Sequence, residues 1–274
     1  MKIGFIGAGR MGRPILDRLT AAGHDITVLV RSPQARSAAE ADGLTCAGTL
    51  AATVGDADVV FVAVLTDEQV REVCLGPDGA VAAMKPGSVI VQHTTSHPAT
   101  AQLIADEGAE REVLVLDAAL SGGPHDIAAG RLTLWVGGDE ALLTRLRPLL
   151  EAYASPVMFV GPLGNGQRVK LVNNALFVAQ VGLAIDAVRL AGSLGIEESA
   201  VLAAVQHGSG DSRALGVVAR DGVDAVADRL ADLMLKDVTV VREVAGRAGA
   251  DLGIIGTVLS SDAVENKVLQ RRTA

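Results

Sequence analysis

Residues 2–6 (KIGFI) form a short apolar run, Gly7-Ala8-Gly9-Arg10-Met11-Gly12 follows at once, and Ile26–Val30 is a second apolar run. Between them lies a helix-forming stretch with Pro14 early in it and Gly23 closing it, so the unit reads strand–GxGxxG–helix–strand over about thirty residues. Few local patterns constrain a fold as tightly. Gly7 permits a tight turn, Gly9 lets backbone N–H groups approach a pyrophosphate, and Gly12 allows close packing of helix on strand. The helix N-terminus adds positive potential. A glycine-rich turn of purely structural use is the alternative. With both strands in place, Gly7, Ala8, Gly9, Arg10, Met11 and Gly12 read as a dinucleotide cradle.

The end of the second strand bears on which dinucleotide. An NAD site usually places Asp or Glu there for the ribose hydroxyls. Here the chain reads Val30-Arg31-Ser32-Pro33-Gln34-Ala35-Arg36, and Asp25 lies at the wrong end of the strand. Arg31 offers a charged fork to a 2′-phosphate, Ser32 a hydroxyl, and Arg36 assistance. Ser32 is equally a helix N-cap with Pro33 at the first helical position. NADP is expected over NAD.

Strands and helices keep alternating to Val160, as in an α/β domain with a parallel sheet. Leu65 and Thr66 end a strong strand at 58–64, on the edge where such sheets bind ligands. His93-Thr94-Thr95-Ser96-His97-Pro98 leaves the strand at 88–92. His93 and His97 are four apart, but Pro98 disfavours helical backbone at His97, so contacts from Thr95 or Ser96 to nicotinamide or substrate fit better than a metal. A strand at 113–116 is expected to give way to the loop Asp117–His125, in which Ser121-Gly122-Gly123 has the makings of an anion-binding turn. His125 reads equally as a loop residue or a substrate contact.

From Gly161 to Gly195 a Gly-rich turn leads into about thirty helix-forming residues, roughly 45 Å of helix. The helix is apolar nearly all round and therefore expected to be buried. Lys170 and Asn174 share one face in its first turns. A lysine there is either snorkelling or ion-paired, or is desolvated for proton chemistry. Beyond it the patterns are helical, near 196–206, 223–248 and 252–270, with a flexible stretch at 207–212; Lys236 lies in an apolar run of the second. The expected fold is α/β: a doubly wound sheet at 1–162 of Rossmann type, then an all-helical domain at 163–274 joined by the long helix.

The formal net charge of −8 and the lack of a Lys/Arg run argue against a nucleic-acid binder. Two cysteines, Cys46 and Cys74, have no metal-ligand spacing and suit a reducing compartment. The N-terminus lacks a signal peptide's charged start and apolar run, and the long helix carries Arg168, Lys170, Asp186 and Arg189. A cytoplasmic protein without a membrane partner is expected.

Together these residues resemble the β-hydroxyacid dehydrogenase family. Four stretches match in order: GFIGAGRMGRPI the cofactor signature, DAALSGG the DAPVSGG substrate motif, GPLGNGQRVKLVNN the catalytic GxxGxGxxxKxxxN, and LMLKDV the late KD motif. The resemblance implies Lys170 as catalytic acid/base, with Asn174 holding substrate. It implies Ser121, Gly122 and Gly123, with Ser96, around a substrate carboxylate, and Lys236 against nicotinamide and substrate. Arg31 falls where NADP-preferring members carry the arginine of an Asn-Arg-Thr motif. A small carboxylate-bearing aldehyde or hydroxyacid is the implied substrate, and a homodimer or homotetramer the implied assembly. Ala119 replaces the motif's proline, His125 stands where small or apolar residues are usual, and the family's terminal glycine-rich stretch and final helix find no counterpart after about Glu265. An imine reductase-like enzyme, which typically lacks the lysine, and a noncatalytic NADP-binding sensor are the alternatives.

Overall fold

A computed structural model describes residues 1–265 and 268, with backbone only at 229–234. The chain divides into two compact units, Met1–Lys170 and Leu171 onward.

In the first unit β1 (Lys2–Ile6), α1 (Gly12–Ala21), β2 (Asp25–Leu29), α2 (Pro33–Ala41), β3 (Thr45–Ala47) and α3 (Leu50–Val54) lead to β4 (Val59–Val62). Then come α4 (Asp67–Cys74), α5 (Ala80–Ala83), β5 (Val89–Gln92), α6 (Pro98–Ala109) and β6 (Leu114–Ser121). The series closes with α7 (Pro124–Ala128), β7 (Leu132–Gly137), α8 (Glu140–Leu150) and β8 (Ala154–Phe159). The eight strands form one sheet in the order β3-β2-β1-β4-β5-β6-β7-β8. Every neighbouring pair is parallel except β6 and β7. The order reverses between β1 and β4, which is where a doubly wound sheet opens a crevice at its carboxyl ends.

Strand alternation sorts the core onto two faces. Val59, Phe61, Val89 and Val91 face Ile15, Leu16 and Leu19 of α1 and the leucines of α8. Val60, Val62 and Ile90 face Val54, Val70, Cys74 and Ile104 from α3, α4 and α6. Each fully buried Val, Leu, Ile or Phe contributes about 1.5–3 kcal/mol. Three of the six aromatics gather here with a histidine: Phe61 lies 5.9 Å from Phe5 and 5.5 Å from the His93 ring, and Tyr153 meets His93 edge-on at 5.7 Å.

Two expectations change in this unit. The loop expected from Asp117 is strand as far as Ser121, because β7 pairs with it antiparallel from Asp117↔Gly137 to Ser121↔Thr133. The short helices α5 and α7 are additions that too few residues signal in sequence.

The second unit is helical. α9 (Asn165–Ser193) begins in the first unit, and α10 (Glu198–Val205), α11 (Arg213–Asp221), α12 (Val223–Ala248), α13 (Gly253–Leu259) and α14 (Asp262–Val264) follow. α11 was not legible beside the 207–212 loop; Ser212 starts it by accepting from the Leu215 N–H at 3.1 Å. The helix expected at 252–270 is broken at Ser260-Ser261, and 266, 267 and 269–274 lie outside the described residues. α9 buries Ala175, Val178, Ala179, Val181 and Ile185 among the other helices. It is not buried all round. Val172, Leu176, Leu183, Leu190 and Leu194 form an exposed apolar stripe, with Val172 63% and Leu183 55% exposed. The packed helices cover one face of α9, and its apolar residues extend beyond that face.

Candidate active site

The cradle is built by contacts that only glycine allows. Gly7 has φ +102°, and a Cβ there would collide with the Ala63 carbonyl at the end of β4. A Cβ at Gly12 would overlap the Gly7 carbonyl oxygen. At Gly9 the case differs: an added Cβ meets no atom within 4 Å, and φ is not positive. Neither packing nor backbone conformation demands glycine there, whereas a ligand approaching the backbone would. α1 has no acidic residue in its first turn and no side-chain cap, which leaves its N-terminal donors suited to an anion. Ala8, Gly9 and Arg10 are exposed, and Met11 packs on the core. These residues fit a dinucleotide pyrophosphate.

At the end of β2, Arg31 lies 3.2 Å from Glu72, an exposed pair. Ser32 caps α2, accepting from Ala35 N–H at 3.4 Å. Arg36 reaches back to the Val30 carbonyl at 3.4 Å. Beyond β4, Thr66 and Gln69 form a reciprocal cap on α4, in which Gln69 Oε1 also accepts from the N–H of exposed Leu65 at 2.9 Å. Thr66 therefore has a structural duty at the position expected to face cofactor.

The segment after β5 divides by depth. His93 is core: Nδ1–H donates to the Ala118 carbonyl at 2.6 Å, and Nε2 accepts from Tyr153 OH at 2.9 Å. Burial draws this imidazole down to about 4. His97 is extended, caps α6 and accepts from Ala99 N–H at 3.1 Å. Thr95 is half-buried. Ser96 is buried, and its hydroxyl accepts from Gln92 Nε2 at 3.1 Å. Among the described residues no cluster of three His, Cys, Asp or Glu side chains could hold a metal.

Ser121 closes β6, and Gly122 turns the chain with φ +131°. The Gly123 N–H donates to Asp126 Oδ2 at 2.8 Å, and His125 Nε2 lies 3.2 Å from the same oxygen. That engagement of Gly123 narrows the turn's donors toward a ligand.

Lys170, half-buried, stands in the second turn of α9. Two buried side chains ahead of it had no assigned part in the sequence reading. Asp117 accepts from Gly164 N–H at 2.7 Å and Gln167 N–H at 2.8 Å. The Gln167 side chain reaches Gln92, Thr94 and Ser96. In the helical unit, buried Asn174 donates Nδ2–H to Asp237 Oδ2 at 2.6 Å, and Lys236 lies 4.0 Å from Asp237. Asp237 is the last residue of the KD pair, so its motif was visible and its partner was not.

A sheet of this order with a glycine cradle at its switch point, followed by an all-helical unit, defines a Rossmann-type dinucleotide-binding protein. A family model described as the NAD binding domain of 6-phosphogluconate dehydrogenase matches residues 2–161. One described as NAD-binding of NADP-dependent 3-hydroxyisobutyrate dehydrogenase matches residues 164–263. The chain belongs to the β-hydroxyacid dehydrogenase family, among the NAD(P)-dependent hydroxyacid dehydrogenases of the 3-hydroxyisobutyrate dehydrogenase type. It is 36% identical to the NAD-dependent L-serine dehydrogenase of Pseudomonas aeruginosa, over 89% of this chain and 85% of that one. It is 32% identical to the 2-hydroxy-3-oxopropionate reductase of Escherichia coli, over 79% and 74%. The structure of Mycobacterium tuberculosis 3-hydroxyisobutyrate dehydrogenase with L-serine superposes with TM-score 0.84 at 29% identity, covering 94% of this chain and 90% of that one.

Proposed function

We propose that the protein is an NADP-preferring oxidoreductase that interconverts a small hydroxyacid and its semialdehyde or keto acid, with Lys170 as the acid/base. The observation carrying this reading is a lysine held in the second turn of a helix whose start is tied to the carboxyl-end side of the sheet. The bound nicotinamide supplies or takes the hydride. Lys170 Nζ donates a proton to the substrate oxygen in reduction and takes it back in oxidation. Ser121 and Gly122, on the turn closed by Gly123, would hold the substrate carboxylate. Asn174 and Lys236 carry the remaining roles that the motifs imply, and within the helical unit the Asp237 bond orients the Asn174 amide. The names of relatives support small hydroxyacids: L-serine, 3-hydroxyisobutyrate and 2-hydroxy-3-oxopropionate.

Gly7–Gly12 would hold the pyrophosphate, and Arg31 the 2′-phosphate. Arg31→Ala is expected to raise KM for NADPH tenfold or more and leave KM for NADH nearly unchanged, since hydrogen bonds to charged groups contribute about 1.5–3 kcal/mol. Initial rates with both cofactors check this. The function itself is tested by NADPH and NADH oxidation against glyoxylate, succinic semialdehyde, methylmalonate semialdehyde and tartronate semialdehyde, and by NADP⁺ reduction with L-serine and 3-hydroxyisobutyrate. Turnover on none of them, with NADPH bound, would reject the reading.

A cytoplasmic homo-oligomer is part of the same proposal. The exposed stripe on α9 supports the assembly, because a contiguous apolar face is commonly covered by another chain. Leu183→Lys with Leu190→Lys should lower the mass measured by light scattering to that of one chain; an unchanged mass would place any contact elsewhere.

A further inference from the structure

The start of α9 is gripped from two strands. Asp117, on β6, is fully buried, and its two carboxylate oxygens accept separately from the N–H groups of Gly164 and Gln167, at 2.7 and 2.8 Å. Those donors belong to the helix start, where N–H groups lack partners within the helix. A cap usually comes from the residue just before a helix; here it comes from a strand 47 to 50 positions earlier in the chain.

The second grip is the buried amide of Gln167. Its Oε1 accepts from Ser96 N–H at 3.0 Å, and its Nε2 donates to Gln92 Oε1 at 2.9 Å and the Thr94 carbonyl at 3.0 Å. Gln92 also donates to Thr94 O at 2.6 Å, so the end of β5 and the turn after it form one connected network with the helix. Gly166 lets the helix backbone sit directly on the sheet: a Cβ there would stand 2.5 Å from the Trp135 carbonyl oxygen and 2.7 Å from that of Asp117. Rotation or sliding of this turn would break buried hydrogen bonds and leave a carboxylate unmatched, each a costly change.

Lys170 follows Gln167 by three residues on the same rigid turn. We propose that Asp117 and Gln167 are positioning residues for Lys170, setting the rotation and height of the helix turn that presents its ammonium to the substrate oxygen. This rests on the reading of Lys170 as the acid/base. Neither residue needs to touch substrate or cofactor; both act through the backbone of α9.

The test uses the full chain with Gln167→Met and Asp117→Asn, each alone and combined with Lys170→Ala. The substrate is whichever of glyoxylate, succinic semialdehyde, methylmalonate semialdehyde or tartronate semialdehyde the wild type reduces fastest. Gln167→Met keeps length and volume while removing the amide, so it decides the question if Asp117→Asn does not fold. Folding is followed by the fluorescence of Trp135, the single tryptophan. Each folded single variant is expected to lose about 10–100-fold in kcat, the scale of a misplacement near 1 Å, with substrate KM and NADPH Kd within about twofold of wild type. In the Lys170→Ala background, single-turnover NADPH oxidation should fall by less than about twofold further, because residues acting as a unit are not additive. An unchanged kcat in a folded variant, a KM or Kd that moves with kcat, or a full further loss without Lys170 would overturn the inference. Full activity of Lys170→Ala alone is a separate result, which rejects the acid/base reading itself.

Discussion

Lys170→Ala is expected to lower kcat for carbonyl reduction by about 10²–10⁴-fold, or roughly 3–5 kcal/mol of barrier, the usual contribution of a positioned general acid. As hydride reaches the carbonyl carbon, charge builds on its oxygen, and alanine has no proton to give. NADPH affinity should be retained, since the proposed cofactor contacts, Gly7–Gly12 and Arg31, lie elsewhere on the chain. Lys170→Arg should fail nearly as completely, because a guanidinium holds its proton too firmly to exchange it near neutral pH. Steady-state rates beside a fluorescence titration of NADPH separate the two effects. A Lys170→Ala enzyme with wild-type kcat would remove the lysine from the chemistry.

The second large effect is on stability, where two buried groups oppose each other over one range of pH. Burial draws His93 down to about 4 from an ordinary 6.5, against the pull of its Ala118 hydrogen bond. The unfolded chain therefore binds this proton more readily, and stability falls as pH drops from about 6.5 to 4. Burial pushes Asp117 up to about 6 from an ordinary 3.8, against the N–H groups of Gln167 and Gly164. There the folded chain binds the proton more readily, so stability falls as pH rises from about 4 to 6. Each contributes about 3 kcal/mol at full extent, with opposite signs. Asp117→Asn should therefore lose about 3 kcal/mol more than wild type between pH 7 and pH 4, and His93→Gln about 3 kcal/mol less. Urea unfolding at the two pH values measures both. Parallel pH profiles for all three proteins would mean that neither group titrates differently on folding.

Much of the sheet unit was legible because its signals are local. Buried strands such as Val59–Val62 read as apolar runs, and the Ser32-Pro33 cap stands beside the helix it starts. α12 matched its expected bounds because its apolar residues keep helical spacing from Val223 to Ala248. The strand through Asp117 was misread because a charge and two small residues look like a loop until a partner strand covers them. α11 was missed because it is only nine residues long and follows a Gly/Ser-rich stretch, although Ala214, Leu215 and Val218 keep helical spacing and are buried.

The site divides along the same line. Lys170 and Asn174, four residues apart, share a helix face whatever else the chain does, and Gly7, Gly9 and Gly12 form a cradle wherever a strand meets a helix. The sequence by itself therefore determined the cofactor turn, the helix bearing the lysine and the alternation that builds the sheet. Tertiary structure alone decided that Asp117 caps α9, that Gln167 ties it to Ser96, that His93 pairs with Tyr153, and that Asn174 meets Asp237 63 positions away. The physical reason is range. Periodicity and capping act within a few residues, whereas a buried polar group takes its partner from whichever element packing brings against it.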